Sequence, residues 1–349
     1  MAIHLKIAGP LPYRIKRAAE LSQWTIETAT HRVVKGPRRP GWNWFVEVTT
    51  HVLRRQLMTA FSMADVNQAR NYLDAIEISS PASPQVEVTK YVNERFKGAW
   101  IVPVNADRGI TVLYLHGGGY SFYPRSYKHF VALITVAAKA RTFALDYRLS
   151  PEHRFPSQLE DAINAYRWML ASGCAPEEVV VIGDSAGANL ALALVLTARE
   201  SGIALPALVV AMSPPTDFES EYPSLSQNEE FDWISSQMLR PWCDWFCEPT
   251  QRRDPLISPM WADLRGLPPI YIQAGECEIL FDSIRAFADR ARQQGADVTL
   301  ESWQDMNHVF QIFGMESPQS IEALRRMREM IESRVRTSKK NVFCETGLN

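Results

Sequence analysis

The chain predicts an α/β architecture: an eight-stranded, mostly parallel sheet flanked by helices, with a helical cap. Three observations carry this reading. From residue 88 onward, short β-branched runs alternate with stretches of helical periodicity, the pattern of strands joined by crossover helices. Most of these runs are apolar throughout rather than alternating, as strands covered on both faces are. Two of them end in glycine-framed turns, His116-Gly117-Gly118-Gly119 and, 67 residues on, Gly183-Asp184-Ser185-Ala186-Gly187.

Taken in order, the strands are expected at Val88–Tyr91, Trp100–Pro103, Thr111–Leu115, Thr142–Asp146, Val179–Ile182, Leu208–Met212, Ile270–Gln273 and Val298–Trp303. Helical spacing places the covering helices at Ser126–Ala140, Ser157–Ser172, Ala188–Ser201, Asp282–Gln294 and Pro318–Arg336. In the last of these, Ser317 reads as N-cap and Pro318 as the first helical residue, with Ile321, Leu324, Met327, Ile331 and Val335 forming one apolar face.

Two regions break the alternation. Residues 1–80 read as helices closing at Ser79-Ser80-Pro81, and residues 214–262 interrupt the sheet between its sixth and seventh strands. Together they hold seven of the ten tryptophans: Trp24, Trp42, Trp44, Trp233, Trp242, Trp245 and Trp261. Ordinary packing between helices is one explanation. The preferred one is an apolar lid over the serine, because the second segment leaves the sheet at a strand's C-terminal end, where ligand crevices form. The expected organisation is an N-terminal helical extension and cap part over 1–80, a catalytic core over 81–213 and 263–338, a cap insertion over 214–262, and a disordered tail over 339–349.

Bulk properties bound the function. The chain has 349 residues, 46% hydrophobic and 22% charged, and a net charge of −2. That is ordinary for a globular enzyme and gives no general pull toward nucleic acid. The five cysteines are scattered, with no CxxC pair and no histidine set to complete a zinc site around Cys243 and Cys247, so free or buried thiols in a reducing compartment are expected. Without an apolar run long enough to span a bilayer or a clean N-terminal leader, the expected location is the cytoplasm. Residues 1–60 hold ten Lys/Arg against three Glu. They read as a solvated helical extension, with a basic membrane-surface arm as the alternative.

The chemistry is concentrated at the two turns. The run Val179–Ile182 followed by helical Asn189–Leu194 makes a strand, a tight turn and a helix, which holds the Ser185 hydroxyl out at the sheet's edge. Gly183 and Gly187 are required because side chains would collide where strand and helix close on the turn. The glycines after Leu115 leave backbone N–H groups free to face a developing oxyanion. A serine nucleophile needs a general base, and the base needs a carboxylate to hold its tautomer. With the order serine, acid, histidine along the chain, only His308 of the seven histidines lies after the candidate acids. The acid belongs after the seventh strand, where Glu276, Glu278 and Asp282 compete. Asp282 is accounted for as a helix N-cap; the loop positions alone do not separate Glu276 from Glu278.

These residues resemble the hormone-sensitive-lipase-like branch of the α/β-hydrolases, the bacterial family IV esterases and their eukaryotic relatives. The likeness rests on His116–Gly119, Asp146-Tyr147-Arg148-Leu149-Ser150-Pro151-Glu152, Gly183–Gly187, Asp254-Pro255 with Ser258-Pro259, Gly266-Leu267-Pro268-Pro269, Gly275–Asp282 and His308-Val309-Phe310. It spans about residues 64–335 in one order. The resemblance implies Glu278 as the acid, where many relatives carry Asp. It implies Gly118, Gly119 and Ala186 as oxyanion donors. His116 would orient the glycine loop in the company of Gly117, and Asp184 would support the nucleophile. Tyr147, Arg148 and Glu152 match the family's structural signature, with Arg148 in a buried ion pair. A further glycine is commoner where this chain has Ala188-Asn189.

The activity so implied is that of a serine carboxylesterase acting on short to medium acyl esters through Ser185, His308 and Glu278, with no cofactor and no metal. Lactonase, amidase or secondary-metabolite deacetylase are rivals served by the same triad. A small-molecule receptor is the rival from another class, but relatives resembling the plant gibberellin receptors lose the histidine that His308 retains here. The expected partner is a small-molecule ester. Nucleic acid is not expected, while weak membrane-surface contact through the basic N-terminus and a homodimer are compatible with the sequence.

Overall fold

The computed structural model describes residues 4–79, 81–107 and 109–335. The expected disordered tail and Ser80 of the linker lie outside them.

The N-terminal segment pairs strand β1 (His4–Ile7) with β2 (Ile76–Ser79) in an antiparallel two-stranded sheet that encloses helices α1 (Leu11–Lys35), α2 (Trp44–Phe61) and α3 (Val66–Asp74). The helices were expected and the strand pair was not. Each strand is four residues long, polar at alternate positions and closed across some seventy residues, so no local turn announces it. Helix α2 starts at Asn43, whose side chain accepts the N–H of Val46 at 2.9 Å.

The remaining elements are β3 (Val86–Val92), β4 (Lys97–Pro103), β5 (Thr111–Leu115), α4 (Lys128–Ala138), β6 (Arg141–Asp146), α5 (Ser157–Ala171), β7 (Val179–Asp184), α6 (Ala186–Glu200), β8 (Leu208–Met212), α7 (Ser224–Gln227), α8 (Ser236–Phe246), β9 (Ile270–Gly275), α9 (Phe281–Gln293), β10 (Val298–Trp303) and α10 (Pro318–Arg334). The eight strands β3 to β10 form one sheet in the order β10-β9-β8-β7-β5-β6-β4-β3. From β10 to β6 the pairs are parallel, while β4 runs antiparallel to β6 and β3 antiparallel to β4.

The apolar runs bury both faces by alternation. Leu113, Val181, Val209 and Ile272 point into a core closed by α5, α6 and α9. Val112, Val180, Val210 and Tyr271 point into a second core closed by α4 and α10. Crossing from β6 to β7 reverses the strand order on either side of β5. That reversal opens a crevice at the C-terminal ends of β5 and β7, where doubly wound sheets bind ligands, and both glycine-framed turns emerge there.

Three local expectations change. The helix expected at 126–140 begins as a 3₁₀ turn over Arg125–Tyr127 before α4. Asp282 sits inside the first turn of α9 rather than capping it, and its carboxylate accepts the N–H of Ser224 at 2.9 Å. Cys174 is disulfide-bonded, against the expectation of free thiols, whereas Cys243, Cys247 and Cys277 are free. Among the described residues no helix is long and apolar enough to cross a membrane.

Candidate active site

Strand β7 ends at Asp184 and α6 begins at Ala186, leaving Ser185 alone in the turn with φ 50° and ψ −124°. A non-glycine residue there is strained and persists only where its surroundings over-determine it. The constraint comes from close backbone packing: a Cβ on Gly183 would lie 2.2 Å from the carbonyl oxygen of Gly187, and one on Gly187 would lie 2.0 Å from that of Leu115. The Ser185 N–H donates to the Met212 carbonyl at 2.8 Å, tying the turn to β8.

The His308 loop follows β10 and the Glu278 turn follows β9. The two strands are parallel neighbours, so their C-terminal loops meet. The contact is tight enough that a Cβ on Gly275 would lie 2.2 Å from the Met306 carbonyl oxygen. Here the His308 imidazole bridges two groups, with Nε2 2.8 Å from Ser185 Oγ and Nδ1 3.1 Å from Glu278 Oε2. Glu278 and His308 are completely buried. The other oxygen of Glu278 accepts the Ser213 hydroxyl at 2.8 Å and the Gly275 N–H at 2.5 Å. Glu276, by contrast, is exposed. Burial works against a charged imidazole, but the hydrogen bond and charge of Glu278, with the Asp232 and Asp184 carboxylates behind them, hold the His308 pKa above its ordinary value.

The glycine turn after β5 takes backbone conformations that only glycine adopts freely, with φ 100° at Gly118 and 59° at Gly119. The N–H groups of Gly118, Gly119 and Ala186 make no hydrogen bond to other described residues. Gly119 and Ala186 line one cavity with Ser185. His116 is fully buried, its ring stacked between Tyr123 and Tyr147 at centroid distances of 3.7 and 4.0 Å. Burial pulls its pKa down to about 3, so the ring is neutral and its Nδ1–H donates to the Gly117 carbonyl at 2.7 Å. The Tyr147 hydroxyl donates to the His116 carbonyl at 2.7 Å.

Asp184 braces the same loop, accepting the Tyr114 hydroxyl at 2.5 Å, the Tyr127 hydroxyl, and the Gly117 N–H at 3.1 Å. Burial raises its carboxyl pKa to about 6 against the pull of these donors. Arg148 pairs with buried Asp161 at 2.8 Å and also with Glu160, but its own side chain is half-exposed rather than buried as expected. Arg70 grips Glu152 through two bonds of 2.6 and 2.9 Å and also holds the Ser121 and Ser150 carbonyls.

Ser185, Gly119 and Ala186 open onto a cavity of about 960 Å³. Its remaining walls come mostly from residues 215–244, including Phe218, Tyr222, Ile234, Leu239 and Trp242. The Trp242 indole lies against the glycine turn, so a Cβ on Gly119 would come within 2.4 Å of it. No described residue of the N-terminal segment lines this cavity; the segment backs it. Phe61 of α2 packs on Trp242 and Trp245 at 4.7 and 5.5 Å between ring centroids. The same segment also holds the His308 loop: Arg39 and the Gly41 N–H each bind the Asp305 carboxylate at 2.9 Å, and Asn307 donates to Thr50 Oγ at 2.7 Å.

Sequence reasoning missed Asp232, Ser213 and the Asp305 clamp, all of which touch the His308 or Glu278 loops. Nothing in their local sequence marks them, since each meets its partner only through the tertiary fold. Among the described residues no group of three or more His, Cys, Asp or Glu could hold a metal ion.

The sheet order and the crevice define a hydrolase of the α/β class, and comparison with known proteins gives the family. A family model described as the alpha/beta hydrolase fold matches residues 112–312. The chain is similar to an acetyl-hydrolase of Streptomyces hygroscopicus, 40% identical over 64% of this chain and 76% of the relative. It is also similar to an esterase of Acinetobacter venetianus, 30% identical over 84% of this chain and 98% of the relative. A crystal structure of an esterase from the bacterial hormone-sensitive lipase family superposes with a TM-score of 0.78 at 31% identity, covering 84% of this chain and 99% of that one. The chain belongs to the α/β-hydrolase family, in its hormone-sensitive-lipase-like branch, and is a carboxylic ester hydrolase.

Proposed function

We propose that the chain hydrolyses short to medium acyl esters through a Ser185–His308–Glu278 triad and an acyl-enzyme. The observation that carries this reading is the His308 imidazole, within hydrogen-bond reach of Ser185 Oγ at 2.8 Å and of Glu278 at 3.1 Å. Ser185 Oγ attacks the ester carbonyl while His308 Nε2 takes its proton. Glu278 keeps the proton of the neutral ring on Nδ1 and stabilises the imidazolium. The carbonyl oxygen becomes an oxyanion in reach of the Gly118, Gly119 and Ala186 N–H groups. His308 returns the proton to the departing alkoxide. It then takes a proton from water as that water attacks the acyl carbonyl and passes it to Ser185 Oγ as the acyl bond breaks, releasing the acid and the free serine. His116, Gly117 and Asp184 hold the donor loop in shape.

Residues 214–262, backed by residues 1–80, form the cap in this reading. Trp242 against Gly119 shortens the space beside the oxyanion loop, which favours a small acyl group, while the volume left on the cap side suits a bulkier alcohol. The acetyl-hydrolase among the relatives accords with the small acyl group. The test is Ser185→Ala. Turnover of p-nitrophenyl butyrate should fall by several orders of magnitude with the fold intact, and an organophosphonate should label Ser185 in the parent and nothing in the variant. Retention of most activity would overturn the proposal.

A further inference from the structure

Asp232 lies between β8 and β9, 76 residues before His308, and its carboxylate is fully buried. It reaches both catalytic loops. Oδ2 accepts the N–H of Ile279, the residue directly after Glu278, at 2.8 Å. Oδ1 accepts the N–H of His308 itself at 3.2 Å and that of Trp233 at 2.8 Å. The attachment is returned from the other side: the Trp233 indole N–H donates to the His308 carbonyl, and Arg54 of α2 donates to the Asp232 carbonyl at 2.8 Å.

A buried carboxylate is costly unless its oxygens are satisfied and its charge is answered. Backbone N–H groups satisfy the oxygens here. Among the described residues no lysine or arginine forms an ion pair with the carboxylate. The charge that bears on it most is the one His308 acquires when it takes a proton.

We propose that Asp232 is a positioning residue for ester hydrolysis: it ties the acid loop to the base loop and adds a second negative charge behind the imidazolium. This rests on the triad reading above. Two features separate it from simple turn glue. Its two oxygens are divided between the two loops, so one side chain sets their relative position. Its charge also acts on the reacting imidazole, through the field and not through contact with substrate. The groups facing it are Glu278 and His308 in the triad, with Asp184 beyond His308. On its outer side it shares a small cavity with Arg38, Glu47, His51, Arg54, Arg55 and Glu230. Burial lifts the Asp232 pKa to about 7, with the His308 charge pulling it down and Glu278 pushing it up. Asp232 and His308 therefore titrate as a coupled pair, with the Asp232 charge fully present only above neutral pH.

The test uses the full chain with Asp232→Asn and Asp232→Ala. The asparagine keeps the size and can accept only one loop's N–H well; the alanine removes both bonds. Rates are expressed per serine titrated with an organophosphonate, so that misfolded molecules do not count. For p-nitrophenyl butyrate we expect kcat per titrated serine to fall about 10–100-fold in the asparagine variant and at least as far in the alanine variant, with KM changed by less than about threefold. Loss of a negative charge beside His308 lowers its pKa. The acid limb of kcat/KM should therefore move to lower pH by about half a unit or more. Turnover per titrated serine within about twofold of the parent overturns the proposal, and so does a fall in kcat with the acid limb unmoved, since that is what a purely structural residue would produce. Absence of phosphonate on Ser185 in the parent would instead strike at the triad reading itself.

Discussion

Replacing Glu278 by glutamine tests the acid more sharply than any truncation, because the surroundings dictate how the amide must sit. Ser213 Oγ accepts the Val309 N–H at 2.9 Å, so its own hydrogen is committed to Glu278. The Gly275 N–H points at the same Glu278 oxygen. Two donors thus pin the amide oxygen at that end and turn the NH₂ group toward His308 Nδ1. An NH₂ there can only donate, which forces the ring proton onto Nε2, and a protonated Nε2 cannot accept the serine proton. Flipping the amide to restore the tautomer would set its NH₂ against both donors, at about 1–3 kcal/mol for each group left unsatisfied. The imidazolium also loses a buried counter-charge, a change worth about 3–5 kcal/mol when one partner of such a pair is removed. The two routes overlap at roughly 3–5 kcal/mol, or on the order of 10²–10⁴ in kcat. The assay is steady-state hydrolysis of p-nitrophenyl butyrate near pH 8, with Glu276→Gln as the control. That exposed side chain should cost no more than about twofold. A Glu278→Gln enzyme within tenfold of the parent, or a more crippled Glu276→Gln, would refute the reasoning.

Gly119→Ala should reduce kcat strongly, by about 10²-fold or more, because the new methyl meets the Trp242 indole and the φ of 59° disfavours any side chain. Trp242→Ala in the same background should recover part of the loss, and no recovery would deny the clash. Deleting residues 1–40 removes α1 and the Arg39 contact to Asp305; it should lower the melting temperature and raise binding of an apolar dye while leaving Ser185 open to phosphonate. An unchanged melting curve and unchanged kinetics would reduce that segment to an appendage.

What could be read from the sequence was what local chemistry enforces. Gly183 and Gly187 announce the Ser185 turn because any Cβ there meets backbone oxygen, and the unbroken apolar runs announce strands buried on both faces. His308 was legible by elimination, since no other histidine follows the candidate acids. Glu278 and Glu276 were not separable from loop position alone: which of two glutamates faces the histidine depends on the turn after β9 and on its meeting with the β10 loop. Asp232 left no trace, because a carboxylate serving N–H groups 47 and 76 residues away has no local pattern. The β1–β2 pair escaped for the same reason, as did the role of residues 39–50 in holding Asp305 and Asn307.

The double attachment of Asp232 bears on how freely the substrate pocket can be exchanged. The stretch that shapes the binding cavity also carries the carboxylate that spans the acid and base loops. Grafting residues 214–262 from another esterase to change substrate preference would therefore transplant a piece of the turnover machinery along with the pocket. Chimeras whose donor lacks an acceptor at this position should gain the new preference and lose speed together. Those joined after Asp232, from residue 236 onward, would keep the two properties apart.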